Sequence, residues 1–396
     1  MNTGRTIFAQ LLDLAPRHEF HRCVARYHGD RRIREFSCFD QFLALAFAQL
    51  TYRESLRDIE TCLRALGAKL YHAGFRGTVA RSTLADANET RDWRIYADFA
   101  HVLIGRARHL YAAEDFGVAL AEPAYAFDST TIDLCLALYP WASFRRHKAA
   151  VKLHTQLDLR GGIPCFVRVT TGKTADVLAL DHLALEAGAF YVFDRGYTDF
   201  RRLHRFTAEF AYFVTRAKHN LDFRCVDAAP VDKSTGLRCD QIIRLRGPKT
   251  AQFYPGPLRR IGYYDAGHDH RLVFLSNHLR LPALTIADLF RCRWQIELFF
   301  KWIKQHLRIK AFYGTSFNAV CTQIWIALSV YVLVAILRKE LRSERSLYEI
   351  LQILSISLFE RLPIRALITE PIAETNVLNG SSGQEPRHNQ LMLFDF

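Results

Sequence analysis

Between residues 122 and 216 the chain alternates short runs rich in β-branched and aromatic residues with helical stretches, and this rhythm restricts the fold more than any other feature. The runs are PAYAFDSTTIDLCLAL, AAVKLHTQLDLRGG, IPCFVRVTTG, AFYVFDRGY and FAYFVTRAK. VKLHTQLDL and IPCFVRVTT are joined by RGG and predict a hairpin. ADVLALDHLALEAG reads as an apolar-periodic helix before the fourth run, and TDFRRLHRFTAEF as a helix after it. Strands, helix, strand, helix is the pattern of a mixed α/β sheet flanked by helices.

The flanks have other textures. Residues 1–115 predict a helical region, with amphipathic segments at 39–50 and 55–66. After the Gly-containing stretch GFRGTVARST, a helix capped by Ser82 or Thr83 is expected to run through LADANETRDWRIY. It would carry Asn88, Arg91 and Arg94, and with the preceding helix it is compatible with a helix-turn-helix that reads DNA. Residues 116–216 form the first part of the core, 217–275 alternate in the strand manner and read as a β-rich insertion, and 276–370 return to helices. The polar, Gly/Ser-rich tail 371–396 is expected to be mobile.

Composition narrows the partners. Lys plus Arg number 53 against 40 Asp plus Glu, a formal charge of +13 that points to a polyanion. Nine cysteines are scattered with no C-x-x-C pair, which argues against a disulfide framework or a structural zinc site and fits a reducing cytoplasm. The N-terminus has only a short apolar stretch, broken by Asp13, and reads as neither signal peptide nor anchor. Val320–Leu337 is about long enough to span a membrane, but it contains Thr322, Gln323 and Ser329 and predicts a buried core helix. No membrane partner is expected.

Two aspartates stand out. Asp128 follows AYAF and Asp194 follows FYVF, so each is expected at the end of a buried strand, where an ionised carboxylate is costly unless paired or bound to metal. Taken singly, either reads as a turn or cap residue. Downstream, LFRCRWQIELFFKWIK places Phe290, Arg293 and Lys304 within about 40° of Glu297 on a helical wheel. Arg293 and Glu297 also have the spacing of an ordinary surface ion pair. The helix and the two aspartates together match the needs of phosphodiester cleavage. Two divalent ions supply a nucleophile, stabilise the leaving oxygen and neutralise charge; hard carboxylate ligands suit Mg²⁺ or Mn²⁺, and flanking cations hold phosphates.

On these residues the chain resembles the IS-four family of bacterial insertion-sequence DDE transposases, whose signature is Y-x2-R-x3-E-x6-K. Arg293, Glu297 and Lys304 match it, Asp128 in FDST and Asp194 in FDRGY match the two preceding motifs, and Phe290 departs from the signature tyrosine. The resemblance implies an RNase H-like core, catalytic metal ligands Asp128, Asp194 and Glu297, Mg²⁺ dependence, and DNA contacts through Arg293 and Lys304. It further implies recognition of terminal inverted repeats, cut-and-paste transposition with strand transfer into target DNA, and a homodimer in the synaptic complex. Two alternatives remain at this point: an RNase H-like nuclease that does not transpose, and a DNA-binding regulator without catalysis.

Overall fold

The structure is a computed structural model that describes residues 4–306 and 312–369. The expected mobile tail, 371–396, lies outside the described residues.

Among the described residues seven helices precede the first strand: α1 (Ile7–Leu12), α2 (Arg17–Arg26), α3 (Cys38–Leu50), α4 (Leu56–Leu66), α5 (Lys69–His72), α6 (Arg81–Thr90) and α7 (Arg94–Tyr111). α3 and α4 begin at capping boxes, Ser37 with Asp40 and Ser55 with Asp58, in which each serine and aspartate satisfies the other's exposed amide. The expected Ser82 or Thr83 cap is not used. α6 starts one residue before Ser82, after an extended Ala80, and stops at Arg91, whose backbone is extended. The predicted single helix is therefore two, and the break falls where the Arg91 guanidinium turns back to donate to the carbonyls of Phe36 and Ser37.

The strands are β1 (Ala124–Leu134), β2 (Ser143–Arg145), β3 (Lys148–Asp158), β4 (Ile163–Thr171), β5 (Phe190–Phe193) and β6 (Tyr212–Arg216), with α8 (Phe200–Ala208) between the last two. β1, β3 and β4 pair antiparallel, and β5 and β6 add parallel to β1. The order β4-β3-β1-β5-β6, with α8 crossing between parallel strands, is an RNase H-like fold. Then come β7 (Phe223–Ala229), β8 (Leu237–Leu245), α9 (Pro248–Phe253), β9 (Leu258–Asp265) and β10 (His270–Ser276). β10 pairs antiparallel with β6, so this β-rich insertion extends the core sheet.

The helix expected over 175–188 is replaced by a 3₁₀ turn at Asp176–His182 followed by extended chain. Arg205 of α8 explains this, because its guanidinium takes the carbonyls of Leu180 and Leu183 at 3.0 and 2.7 Å. The Leu180 carbonyl also accepts the Leu183 amide at 3.3 Å, which closes the last 3₁₀ turn, and the Leu183 carbonyl is taken by the Arg205 side chain.

The chain ends in α10 (Ala283–Cys292), α11 (Trp294–His306), α12 (Phe317–Glu340), α13 (Leu347–Ser357) and α14 (Ile364–Thr369). α12 is the long apolar helix of the sequence, and Ala319–Leu337 is buried without interruption. It is wrapped by α3, α6, α7 and α13, which makes it a core helix of this fold. The N-terminal helices and the C-terminal helices thus share one hydrophobic core, with α12 at its centre.

Candidate active site

The sheet register places the two aspartates. β1 and β5 run parallel with Ala124 beside Phe190 and Ala126 beside Val192. Asp128 and Asp194 each lie two residues beyond the last pair of this ladder, Ala126 and Val192. Side chains alternate, so Ala124, Ala126 and Asp128 share a face with Phe190, Val192 and Asp194. That face carries the core built with Ile296 and Phe299 of α11, whereas Tyr125, Phe127, Tyr191 and Phe193 pack on the other. α11 therefore crosses the side of the sheet toward which both aspartates point.

Asp194 stands just beyond β5, as expected. Asp128 does not stand at a strand end: β1 continues to Leu134, held by β3. The ladder to β5, however, stops at Ala126, so from Asp128 onward one edge of β1 is open and lines a cleft of about 710 Å³. Asp128, Asp194, Arg293 and Glu297 all line it, with Ser129, Lys152, Asp176 and Tyr197.

Arg293 lies between two of the carboxylates, 3.2 Å from Asp128 Oδ2 and 2.6 Å from Glu297 Oε1. It is the residue between α10 and α11, in right-handed helical backbone, so the two helices nearly continue one another. Burial pushes the Asp128 carboxyl above the usual range, the Ser129 amide and Arg293 oppose this, and the like charges of Glu297 and Asp194 add to it. Tyr197 donates to Asp128 Oδ1 over a long 3.4 Å, and burial raises its phenol. Two polar atoms beside Asp128 are buried without a hydrogen-bond partner, Arg293 Nε and Thr155 Oγ1 opposite Asp128 on β3, and His154 Nδ1, opposite Ser129, is a third on the other face of the sheet. Such unpaired buried groups cost free energy.

The donor set suits a hard divalent cation, since three carboxylates converge on one cleft and repel one another there. As the side chains are placed, Arg293 holds two of these carboxylates, and among the described residues no group of three His, Cys, Asp or Glu side chains is close enough to bind one ion.

The remaining expected residues divide. Phe290 is half-buried on α10, its ring 5.0 Å from that of Phe274 and 5.6 Å from the Arg293 guanidinium carbon. Lys304 is half-buried seven residues beyond Glu297 and does not line the cleft. Asn88 and Arg91 are turned inward, a correction to their expected exposure. Gln41 donates to Asn88 at 2.8 Å, and Arg91 donates to Gln41 at 3.1 Å as well as to the two backbone carbonyls. Arg94 alone of the three is exposed, paired with Asp92 and lying over the Tyr27 ring.

Sequence reasoning missed Lys152 and Asp176. Lys152 Nζ is 3.0 Å from Asp176 Oδ1, which also accepts from Ser129 Oγ at 2.7 Å. The signal was alternation in β3, where Lys152, His154 and Gln156 read as a solvent face yet His154 is fully buried.

A family model described as a transposase DDE domain matches residues 120–333, more than half of the chain and the span that holds Asp128, Asp194 and Glu297. The chain belongs to the DDE transposases. A domain of unknown function, DUF4372, matches residues 3–76 of this transposase. A protein of Sinorhizobium fredii named as a transposase, y4zB, is 32% identical over 73% of this chain and 80% of its own length. A Geobacillus stearothermophilus protein, named as a transposase for the insertion sequence element IS5377, is 34% identical over 54% of this chain and 56% of its own. These relatives place the chain among insertion-sequence transposases of the IS4-like type, enzymes that act on DNA. The solved piggyBac transposase synaptic complex with hairpin DNA aligns over 92% of this chain and 82% of its own, with 10% identity and a TM-score of 0.45.

Proposed function

We propose that the cleft between β1, β5 and α11 cuts the ends of an insertion sequence and joins them to target DNA in the bacterial cytoplasm, with Asp128, Asp194 and Glu297 holding two Mg²⁺ or Mn²⁺ ions. The observation that supports this reading is that Asp128, Asp194, Arg293 and Glu297 line one cleft, with Glu297 tied to Asp128 through Arg293. When bound, the ions activate an oxygen nucleophile and neutralise phosphate charge.

The chain's own residues do the rest. Arg293 balances the carboxylates and turns toward a phosphate when DNA enters, because its forked guanidinium suits either anion. The Ser129 amide, 2.8 Å from Asp128 Oδ1, fixes that carboxylate's orientation. Asp176 holds the Ser129 hydroxyl and Lys152, and so braces the strand beside Asp128. Lys304 adds a phosphate contact farther along α11, and Phe290 supports Arg293 from below. In the N-terminal helical region Arg94 contributes to recognition of the inverted repeats, while Asn88 and Arg91 act by holding the α3–α6–α7 junction in shape. Two copies meet in a synaptic complex that brings both DNA ends together.

Nicking of a supercoiled plasmid carrying the element's ends tests this. The wild-type chain nicks in Mg²⁺ or Mn²⁺ and not in EDTA. Asp128→Asn, Asp194→Asn and Glu297→Gln each lower the rate by roughly 10³-fold or more and keep DNA binding, because each removes a charged oxygen donor with little change of shape. A near wild-type rate in any one variant removes that residue from the site.

A further inference from the structure

The rim of the cleft carries a feature that the three carboxylates do not explain. β2 and β3 form a tight hairpin whose strands close at Arg145 and Lys148, with Arg146 and His147 at the turn. All four side chains are exposed, and none of the three cations has an ion pair among the described residues. Arg202 and Arg205 of α8 and Arg259 of β9, by contrast, are each paired with a carboxylate. Three unpaired cations within four residues repel one another, an arrangement that becomes favourable when a polyanion arrives.

The hairpin is also anchored toward the reacting centre. Phe144 and Arg145 line the same cleft as Asp128, Asp194 and Glu297, and the Arg145 guanidinium lies 5.1 Å over the Phe144 ring. Phe144 rests on Gly172 in the turn after β4, where an added Cβ would stand 2.7–2.9 Å from three atoms of the Phe144 side chain. That turn is tied to β3 by the Gly172 amide on the Ala150 carbonyl at 2.8 Å, and its next residue, Lys173, is exposed. Only glycine permits this approach, so the contact fixes where the hairpin's cations stand relative to the carboxylates.

We propose that the β2–β3 hairpin grips the backbone phosphates of duplex DNA beside the scissile phosphate, with Gly172 as the seat that positions it. This rests on the DNA-cleaving reading of the cleft. Arg145, Arg146 and Lys173 supply charge; Phe144 and Gly172 supply place.

Charge and place are separable by experiment. The probe is a fluorescein-labelled random-sequence duplex, bound by the full chain at a series of salt concentrations and followed by anisotropy. The double variant Arg145→Ala/Arg146→Ala flattens the slope of log affinity against log salt by roughly 2, the loss of two phosphate contacts. A control that removes the same charge from the helical layer, Arg361→Ala/Arg365→Ala, keeps the wild-type slope. Gly172→Ala retains every charge and the salt slope, but lowers the nicking rate at saturating plasmid by roughly 10- to 100-fold, because the grip is displaced. Thermal melts confirm that each variant folds, and Lys173→Ala, which disturbs no packing, reports the same rim if Gly172→Ala does not fold. Unchanged salt slopes in both the hairpin double variant and Lys173→Ala, with the wild type nicking normally, overturn the grip and leave the transposase reading intact. Failure of the wild type to bind or nick DNA overturns both.

Discussion

Two polar clusters in this chain have similar composition and opposite character. At the α3–α6–α7 junction Gln41, Asn88, Arg91 and Tyr96 bond to one another and to backbone, and Asn318 of α12 closes the set by donating to the carbonyls of Asn88 and Arg91. In the cleft Asp128, Arg293 and Glu297 are also bonded, yet Arg293 Nε there and His154 Nδ1 and Thr155 Oγ1 in the adjoining β3 stay buried without partners, and the Asp128 carboxyl is held above its usual range. A saturated network fixes a shape, whereas an unsaturated one stores unfavourable interactions that a ligand can relieve. Residue type alone does not tell them apart, since both contain an arginine among amides or carboxylates.

The sharpest way to break this comparison is to remove the arginine from the saturated side. Arg91→Ala leaves the carbonyls of Phe36 and Ser37 and the Gln41 side chain short of a donor in a buried setting, and should destabilise the fold by roughly 3–4 kcal/mol in urea melts. Arg94→Ala, three residues on and solvent-exposed, should leave the melt unchanged and weaken DNA binding. The opposite pattern, with Arg91→Ala folding as wild type and losing only DNA affinity, would make Arg91 a reader of DNA and the junction a functional site.

The same contrast explains what was legible beforehand. That Asp128, Asp194, Arg293 and Glu297 would share one cleft was legible because their spacing is fixed by strand and helix periods that survive folding. The strand runs and the β-rich insertion were legible for the same reason. Asn88 and Arg91 were misplaced because the face a short helix presents depends on its partners, here α3 and α12, and no local pattern encodes them. The helix expected over 175–188 failed on a similar long-range cause, the Arg205 guanidinium from α8. Asp128 was expected at a strand end because the residues after it look turn-like, and in the structure β3 carries β1 onward.

A smaller effect tests the unsaturated side through pH. Burial lowers the His154 pKa from 6.5 to about 4, so the ring is neutral in the folded chain at pH 7 while its Nε2 meets Thr170 Oγ1 at 2.9 Å. The unfolded chain binds the extra proton between these two values. Stability is therefore fully present above pH 6.5, is lost as pH falls toward 4, and changes no further below that. The loss is on the order of 3 kcal/mol at about 1.4 kcal/mol per pH unit. His154→Gln, which keeps a polar group of similar size, should flatten the stability curve across that window. An equally steep curve in the variant would show that the acid sensitivity does not come from His154.

The least expected effect concerns Phe290, where this chain lacks the hydroxyl of the family signature. The ring packs on Phe274 and lies below Arg293, so its aromatic face serves the cation whether or not it bears a hydroxyl. It is only half-buried, which leaves room at the rim for one added oxygen. Phe290→Tyr should then fold with a melting temperature close to wild type and cut at an equal or moderately higher rate. The gain appears if the new hydroxyl reaches a phosphate, where a hydrogen bond to a charged group contributes about 1.5–3 kcal/mol at best and less where water already fills that place. The measurement is the nicking rate of Phe290→Tyr beside that of Phe290→Leu, which removes the aromatic face. A slower Leu variant and an active Tyr variant assign Phe290 to the support of Arg293. Loss of folding in Phe290→Tyr would show the ring to be sealed in the core, and would turn the Phe290–Arg293–Glu297 stripe away from DNA.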